Sequence, residues 1–531
     1  MDATQRHLFN LLLEIDEICK KYDIEYFVDY GTTLGAIRHE GFIPWDDDID
    51  INMTEDNYYK WVEACKKELD PTKRVYGDNR NDRDFPGTFG RYIDVETMRI
   101  SSNFAFWRPI CGQCIDVFYF IPLPGDPEKK QKKIDLHYAY DEFANSSYRH
   151  FRYKNDREME LYNKFRKMEK QIGREKTLRK IEDQIFHKHY DDCDTYINAS
   201  TRKYGPSPIV PKEYFDSVYY AEFEGHKFPI AGKYAELLTY YYGDDWNIFP
   251  EKKKHHSKMS HTGINCDDYV SDYIRLLDVK QLKQDRLEAK HILVEEGYKI
   301  GKHLELVHEK SGKLVRLKIE KKIKENNIDV NSLLDASSKE KLAVLDDLYS
   351  CFYDKQLITS FRYWENYIDI GDDNLYAAIF NLIYYRENFT AANKILKVYQ
   401  DAGNKVEGKL AELWQVVVKA REIKAQMLYK NYDKAEALIN EAVKEYPYCK
   451  DIKLYNMEIK VIRKEFDEAK SLIEKLLEEY PDNDRCKKAL GDIAYYNDDM
   501  ETAEKYYKDI MKNSRDGLLH LDIRKKRGAK Q

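Results

Sequence analysis

Three segments near the C-terminus recur at a fixed step. Tyr432-Asp433-Lys434-Ala435, Phe466-Asp467-Glu468-Ala469 and Met500-Glu501-Thr502-Ala503 stand 34 residues apart, and Pro447 and Pro481 keep the same step. A large apolar residue, then Ala, then a closing Pro describes a helix pair that cannot bury its apolar face alone and must stack on its neighbours. An irregular earlier copy begins at Phe389-Thr390-Ala391-Ala392. Two identical consecutive steps outweigh a chance pattern in an unrelated bundle. Stacked units of this kind leave a concave surface for a partner protein.

The repeats account for only part of the 531 residues, and a chain of this length is expected to hold two or three domains. Hydrophobic residues make up 42%, enough to fill real cores, and 44 tyrosines against 14 prolines fit a helix-rich protein with amphipathic packing faces. The formal net charge of −7 argues against a general nucleic-acid binder while leaving room for a local basic pocket. No apolar run is long enough to span a bilayer, and Met1-Asp2-Ala3-Thr4-Gln5-Arg6-His7 lacks the basic and apolar regions of a signal peptide. A cytoplasmic location with reduced thiols is therefore expected, the nine cysteines being an odd count without framework spacing.

Before about residue 268 the texture is mixed. Leu8, Leu11, Leu12, Ile15, Ile18 and Cys19 make one apolar stripe, so residues 4–21 are predicted helical. A short strand follows at Glu25–Val28, then a tight turn at Gly31 with a short helix over Thr32–Ile37. A strand is predicted over Asp48–Met53 and a helix from the cap Thr54 to about Leu69. Strand-like pieces at 88–95, 98–101 and 114–121 lead into a charged, mostly helical stretch over 126–205, then a strand over Val218–Glu224 and a helix near 232–242. The fold class implied is an α+β N-terminal domain, a small mixed sheet flanked by helices, followed by an all-α repeat region.

Inside the mixed region lies the acidic run Asp46-Asp47-Asp48-Ile49-Asp50. Strand side chains alternate, so Asp48, Asp50 and Asn52 share one face while Ile49, Ile51 and Met53 share the other. Carboxylates this close repel unless a cation lies between them, and Mg²⁺ suits hard oxygen ligands, with Mn²⁺ as a substitute. A solvated acidic turn is the bland alternative. A calcium loop fails because its sixth position is Ile51 and its twelfth is Asn57. The Gly31-Thr32 turn upstream lets a phosphate approach the backbone, and Arg38 can pair with phosphate oxygens. Together, Gly31, Thr32 and Arg38 form a candidate phosphate-binding set beside the metal carboxylates.

The stretch Tyr26-Phe27-Val28-Asp29-Tyr30-Gly31-Thr32-Thr33-Leu34-Gly35-Ala36-Ile37-Arg38-His39-Glu40-Gly41-Phe42-Ile43-Pro44-Trp45-Asp46-Asp47-Asp48-Ile49-Asp50-Ile51 resembles the signature of the LicD family. That family is related to the fukutin-type transferases and shares the polymerase-β-like nucleotidyltransferase fold. Further similarity lies at Ile115-Asp116-Val117-Phe118, at Val218 to Pro229 and at Tyr242-Gly243-Asp244, so the resemblance spans roughly residues 5–260. The repeats resemble tetratricopeptide units and stand outside it. The resemblance implies a Mg²⁺-dependent enzyme that moves phosphocholine or a related phospho-alcohol from a CDP-activated donor to a cell-surface glycan such as lipopolysaccharide or teichoic acid. It implies Asp48, Asp50 and Asp116 as catalytic and metal-binding carboxylates and Gly31, Thr32 and Arg38 as donor-phosphate contacts. Family members commonly continue Asp-Ile-Phe with Pro-Leu-Asp, whereas Asp116-Val117-Phe118 runs on as Tyr119-Phe120-Ile121-Pro122, a departure that bears on the acceptor side.

Other features are weaker. Cys111-Gly112-Gln113-Cys114 has half the spacing of a zinc site, with His137, Cys193, His187 and His189 as candidate partners. No second pair completes it, and two ordinary thiols beside a strand is the preferred reading. His255-His256 after Lys252-Lys253-Lys254 is either a phosphate contact or a solvated basic loop. Arg524-Lys525-Lys526-Arg527 reads as a disordered tail, with peripheral contact to the inner face of an anionic membrane as the alternative. The expected organisation is a LicD-like catalytic domain over 1–265 with a helical insertion near 126–205. A helical linker over 266–335, tetratricopeptide-like repeats over 336–520 and a basic tail over 521–531 complete it. Two other readings stand beside this one: a nucleotidyltransferase acting on a small molecule or protein, and a non-catalytic repeat scaffold.

Overall fold

The computed structural model describes residues 1–80, 85, 87–100, 112–145, 155–200, 209–250, 261–264, 316–350, 352, 371–401 and 403–529. The chain divides into two units, one formed by 1–241 with 251–304 and the other by 242–250 with 305–531. The second unit thus takes a short segment from within the span expected for the catalytic domain.

The first unit is built on one mixed sheet. Its strands are β1 (Phe27–Val28), β2 (Asp50–Thr54), β3 (Arg74–Asp78), β4 (Gly90–Asp94), β6 (Gln113–Leu123), β7 (Thr195–Asn198) and β8 (Ile209–Pro211), and β5 (Thr97–Ile100) stands outside it. The order β1-β2-β6-β4-β3 runs across the sheet, with β7 on the far half of β6 and β8 beyond it, while β5 pairs with a separate strand at 261–264. Only β2 and β6 are parallel. Ile49, Ile51, Met53 and the apolar residues from Ile115 to Ile121 are fully or almost fully buried, so these two central strands are covered on both faces. Placed near the middle of a covered sheet, a strand holds its polar residues at fixed positions.

Helices α1 (Ala3–Lys21), α2 (Tyr30–His39), α3 (Glu55–Glu68), α4 (Pro127–Ala144), α5 (Asp156–Ile172), α6 (Arg174–Ile185) and α7 (Tyr234–Tyr242) complete this unit with the hairpin β9 (Val218–Phe223) and β10 (His226–Ala231). The predicted apolar stripe of α1 is buried as expected, with Leu8, Leu11, Leu12 and Ile15 inaccessible to solvent. Two corrections follow. The acidic strand begins at Asp50, not Asp48. Gly31 and Thr32 lie in the first turn of α2 rather than in a turn before it. The described residues of 126–205 are mostly helical as expected, and β7 within that stretch extends the sheet.

The second unit is helical. Its helices include α8 (Lys339–Leu348), α9 (Asp372–Tyr384), α10 (Phe389–Asp401), α11 (Gly408–Leu428), α12 (Tyr432–Glu445), α13 (Lys450–Ile462), α14 (Phe466–Glu479), α15 (Asp484–Tyr496), α16 (Met500–Asn513) and α17 (Gly517–Gly528). The repeated segments open α12, α14 and α16, and Ala435, Ala469 and Ala503 are each fully buried where the next helix packs against them. Phe389 opens α10 in the same way. Lys430, Lys464 and Asp498 adopt left-handed backbone at the same 34-residue step, a position where helices commonly end. The region fits helix-pair repeats.

Segment 242–250 is bonded into these helices: Phe249 N donates to Arg515 O at 2.7 Å, Gly517 N donates to Asn247 O at 2.8 Å, and the Lys424 ammonium donates to Asp244 O. The basic C-terminal residues are not a disordered tail, because they lie in α17, where Lys526 and Arg527 pair with Asp492, Asp522 and Glu504. Among the described residues, no helix is long and apolar enough to cross a membrane.

Candidate active site

Helix α2 starts where β1 ends, and a closed ring of hydrogen bonds ties that start to the acidic strand. Asp29 N donates to Asp50 O at 3.0 Å, Asp50 N donates to Thr32 Oγ1 at 3.0 Å, and Thr32 N donates to Asp29 O at 3.0 Å. Both backbone polar groups of Asp50 are therefore held by the first turn of α2. The Thr32 hydroxyl spends an acceptor site on Asp50 and keeps its proton to donate elsewhere. Gly31 sits in the same turn because nothing larger fits comfortably: a Cβ there would stand 3.0 Å from Asp46 Oδ2.

The acidic run is partly sunk into the protein. Asp46 and Asp50 are buried, while Asp47 and Asp48 are half-buried. Burial, with the Asp48 and Asp47 carboxylates beside it, pushes Asp46 well above the usual carboxylate range. Asp46 Oδ1 and Asp47 Oδ1 are buried without a hydrogen-bond donor among the described residues. An acidic oxygen in that condition is what a bound cation relieves.

Asp116 arrives from the neighbouring strand. In the parallel ladder of β2 and β6 it is the Cα partner of Asp50, which places both carboxylates on one face. On its other side it is the Cα partner of Arg91, whose Nε donates to Asp116 Oδ1 at 2.8 Å. The Arg91 guanidinium also lies over the rings of Phe85 and Phe89, at 5.5 and 5.3 Å from their centroids. Among the described residues, no three His, Cys, Asp or Glu side chains form a ready-made metal cage. The donor set of Asp48, Asp50 and Asp116 nevertheless fits a hard divalent cation: it is all carboxylate oxygen, and beside it the buried Oδ1 atoms of Asp46 and Asp47 lack donors among the described residues.

The structure thus brings Asp48, Asp50 and Asp116 to one end of the β2–β6 pair, with Gly31 and Thr32 beside them. Arg38 is different. Its side chain is buried, and its Nε donates to His39 Nε2 at 3.1 Å. Asn52, predicted on the face of Asp48 and Asp50, is fully buried and donates through Nδ2 to Asp29 Oδ2 at 3.0 Å. Among the zinc candidates, Cys114 is buried in β6, Cys193 Sγ lies 3.3 Å from Thr195 O, and His137 Nε2 lies 3.1 Å from Asn198 O. Cys111, His255 and His256 fall outside the described residues.

Two residues that matter here escaped the sequence reading. Asp29 stands directly before a helix and so carries an N-cap signal, obscured by placing the helix start at Thr32. Arg91 carries no local signal, because only cross-strand pairing sets it against Asp116.

Residues 23–109 match the family described as LicD/FKTN/FKRP, nucleotidyltransferase domain. The chain is also 32% identical over 263 residues to the lipopolysaccharide cholinephosphotransferase LicD of Haemophilus influenzae, an alignment covering 46% of this chain and 92% of that protein. The chain belongs to the LicD family. It is an enzyme, a LicD-type phosphotransferase. Uncharacterized proteins of Rickettsia typhi (29% identical over 150 residues, 28% of this chain and 36% of that one) and Rickettsia prowazekii (42% over 50 residues, 9% and 19%) share shorter stretches. The Haemophilus relative matches less than half of this LicD-family chain, and the two-unit architecture is correspondingly larger than the family domain alone.

Proposed function

We propose that this LicD-family enzyme transfers a phosphocholine-like group from a CDP-activated alcohol to a hydroxyl of a cell-surface glycan, with lipopolysaccharide as the first acceptor to test. The observation that carries the proposal is the register of Asp50 with Asp116, with the Gly31-Thr32 turn bonded to the same strand. The acceptor oxygen attacks the phosphorus that bears the alcohol, that phosphorus loses its bond to the bridging oxygen, and CMP leaves while the acceptor hydroxyl gives up its proton. The name of the Haemophilus relative supports both the choline phosphate and the lipopolysaccharide acceptor.

Asp48, Asp50 and Asp116 would hold Mg²⁺ or Mn²⁺. A divalent ion there supplies charge neutralisation on the diphosphate and on the leaving phosphate. The chain's own residues do the rest. The open backbone at Gly31 and the free proton of the Thr32 hydroxyl bind phosphate oxygens. Arg91, whose Nε lies 2.8 Å from Asp116 Oδ1, would offer a further cation to the transferring group. Arg38, whose Nε donates to His39 Nε2, is the third donor-phosphate contact of this assignment.

Purified full-length protein incubated with Mg²⁺, CDP-choline and a lipopolysaccharide panel is expected to release CMP and label the glycan. Pyrophosphate release from a nucleoside triphosphate instead would replace this reading with nucleotidyl transfer. CMP release at an undiminished rate by the Asp48→Asn, Asp50→Asn double variant would remove the assigned carboxylates.

A further inference from the structure

Asp29 caps α2 from within the core. It is fully buried, yet it is a carboxylate, and burial pushes its pKa up to about 6 even though it accepts three hydrogen bonds. Retaining a buried acid at such cost calls for a reason. Its Oδ1 accepts from Tyr30 N at 2.8 Å, capping α2. Its Oδ2 accepts from Asn52 Nδ2 at 3.0 Å and from the Tyr241 hydroxyl at 3.3 Å. The side chain thereby joins the start of α2, the middle of β2 and the end of α7, while the backbone closes the ring with Thr32 and Asp50. Tyr30, held in left-handed backbone at φ 47°, stacks on the Tyr241 ring at 4.8 Å and locks the same corner.

We propose that Asp29 is a positioning residue for Asp50: it meets neither substrate nor metal, but sets where the first turn of α2 stands against the acidic strand. A helix start that shifted by a fraction of an ångström would move Thr32 Oγ1, then the Asp50 peptide, then the carboxylate. A neutral isostere cannot serve. Asn at 29 offers one oxygen for the two sides where Tyr30 N and Asn52 Nδ2 both donate, so one donor is left facing an amide nitrogen. The reciprocal swap restores a matched set, since Asp at 52 can accept from Asn at 29 and still accept from Met53 N.

The proposal rests on the assignment of Asp50 to the metal site, and the experiment keeps the two apart. Full-length wild type, Asp29→Asn, the Asp29→Asn/Asn52→Asp double variant and Tyr241→Phe are compared by melting temperature, by amide exchange over residues 29–52, by calorimetry with Mn²⁺ alone, and by CMP release. Asp29→Asn is expected to remain folded, to exchange faster at the Thr32 and Asp50 amides than elsewhere, and to lose about 10-fold in Mn²⁺ affinity and in kcat, with less effect on the KM for CDP-choline. The double variant regains most of each, and Tyr241→Phe shows a smaller loss of the same kind. A lowered melting temperature with wild-type exchange at Thr32 and Asp50 would overturn the positioning role, as would a double variant that recovers stability alone. A wild-type chain that binds no Mn²⁺ would instead overturn the metal assignment, and the exchange result would still decide the role of Asp29 in holding the strand.

Discussion

Asp116 faces Asp50 across one side of β6 and Arg91 across the other, so a single carboxylate stands between a second acid and a cation. Among the described residues Asp48 has no such counter-charge, and its carboxylate lies against that of Asp46. The two acids therefore differ in what they cost the metal-free protein, although both are assigned to the metal.

That difference predicts opposite effects on stability. Asp48→Asn and Asp116→Asn should each lower CMP release by on the order of a thousandfold in Mg²⁺. Asp48→Asn should raise the melting temperature of the metal-free protein by about 2–4 °C, because it relieves the repulsion on Asp46. Asp116→Asn should lower it, since the ion pair with Arg91 is lost while Arg91 stays confined over Phe85 and Phe89, at a cost of about 1–2 kcal/mol. Metal-free melting curves of the two variants, read side by side, check the assignment, and two shifts of the same sign would refute it.

Two glycines of α2 separate activity from folding. At Gly35 an added Cβ would lie 2.5 Å from the carbonyl oxygen of Gly41, a backbone atom that cannot step aside. Gly35→Ala should cost about 2 kcal/mol of stability despite the better helix propensity of alanine. At Gly31 the obstacle is the Asp46 carboxylate at 3.0 Å, a side chain that can give by a few tenths of an ångström. Gly31→Ala should leave urea unfolding nearly unchanged and lower kcat about 10-fold by displacing acid and phosphate contacts together. Equal losses of stability in both variants would contradict the distinction.

How much of this was readable beforehand depended on whether a signal was local. The stripe of α1, the openings of α12, α14 and α16, and the β2 and β6 strands are written as periodicity in neighbouring residues, and each stands within two residues of its expected place. Asp50 and Asp116 were linked through family resemblance, since a separation of 66 positions hides their pairing from any local pattern. Arg91 escaped for the same reason without a motif to rescue it. Arg38 was read as a phosphate contact from its spacing after Gly31, and that spacing could not foretell that its side chain is buried. Strand β7 was lost inside a charged helical stretch because its pattern, Thr195-Tyr196-Ile197-Asn198, is too short to compete with the helices before it.

His137 makes the first unit sensitive to acid. It is fully buried, its Nε2 faces Asn198 O at 3.1 Å, and its Nδ1 has no partner among the described residues. Burial lowers its pKa from 6.5 to about 4. Below pH 6.5 the unfolded chain takes up a proton that the folded chain refuses, so the contribution is complete above 6.5 and is lost as pH falls toward 4. The loss should reach about 3 kcal/mol. Chemical unfolding from pH 7.5 to 4 should show this decline in wild type and a shallower one in His137→Gln, whose amide does not titrate. Parallel curves for the two would exclude His137 as the source.

The last helix of the repeat unit is held by a square of charges. Lys488 pairs with Asp492 and Asp522, both at 2.6 Å, Lys526 pairs with the same two acids at 2.7 and 2.9 Å, and the Tyr507 hydroxyl donates to Asp492 at 2.8 Å. Burial raises the pKa of Asp522, but the two ammonium groups outweigh it and hold that carboxylate down to about 2. Every corner has two opposite charges, so removing one acid leaves two half-buried cations sharing a single partner. Asp492→Ala should therefore cost about 3 kcal/mol, more than an exposed pair of the same length. Because Asp522 and Lys526 both lie on α17, the cost should appear as faster amide exchange over Gly517–Gly528 before α12 or α14 is affected. Lys526→Met in the Asp492→Ala background removes the surplus cation and should recover part of the loss, which a simple packing defect at position 492 would not allow.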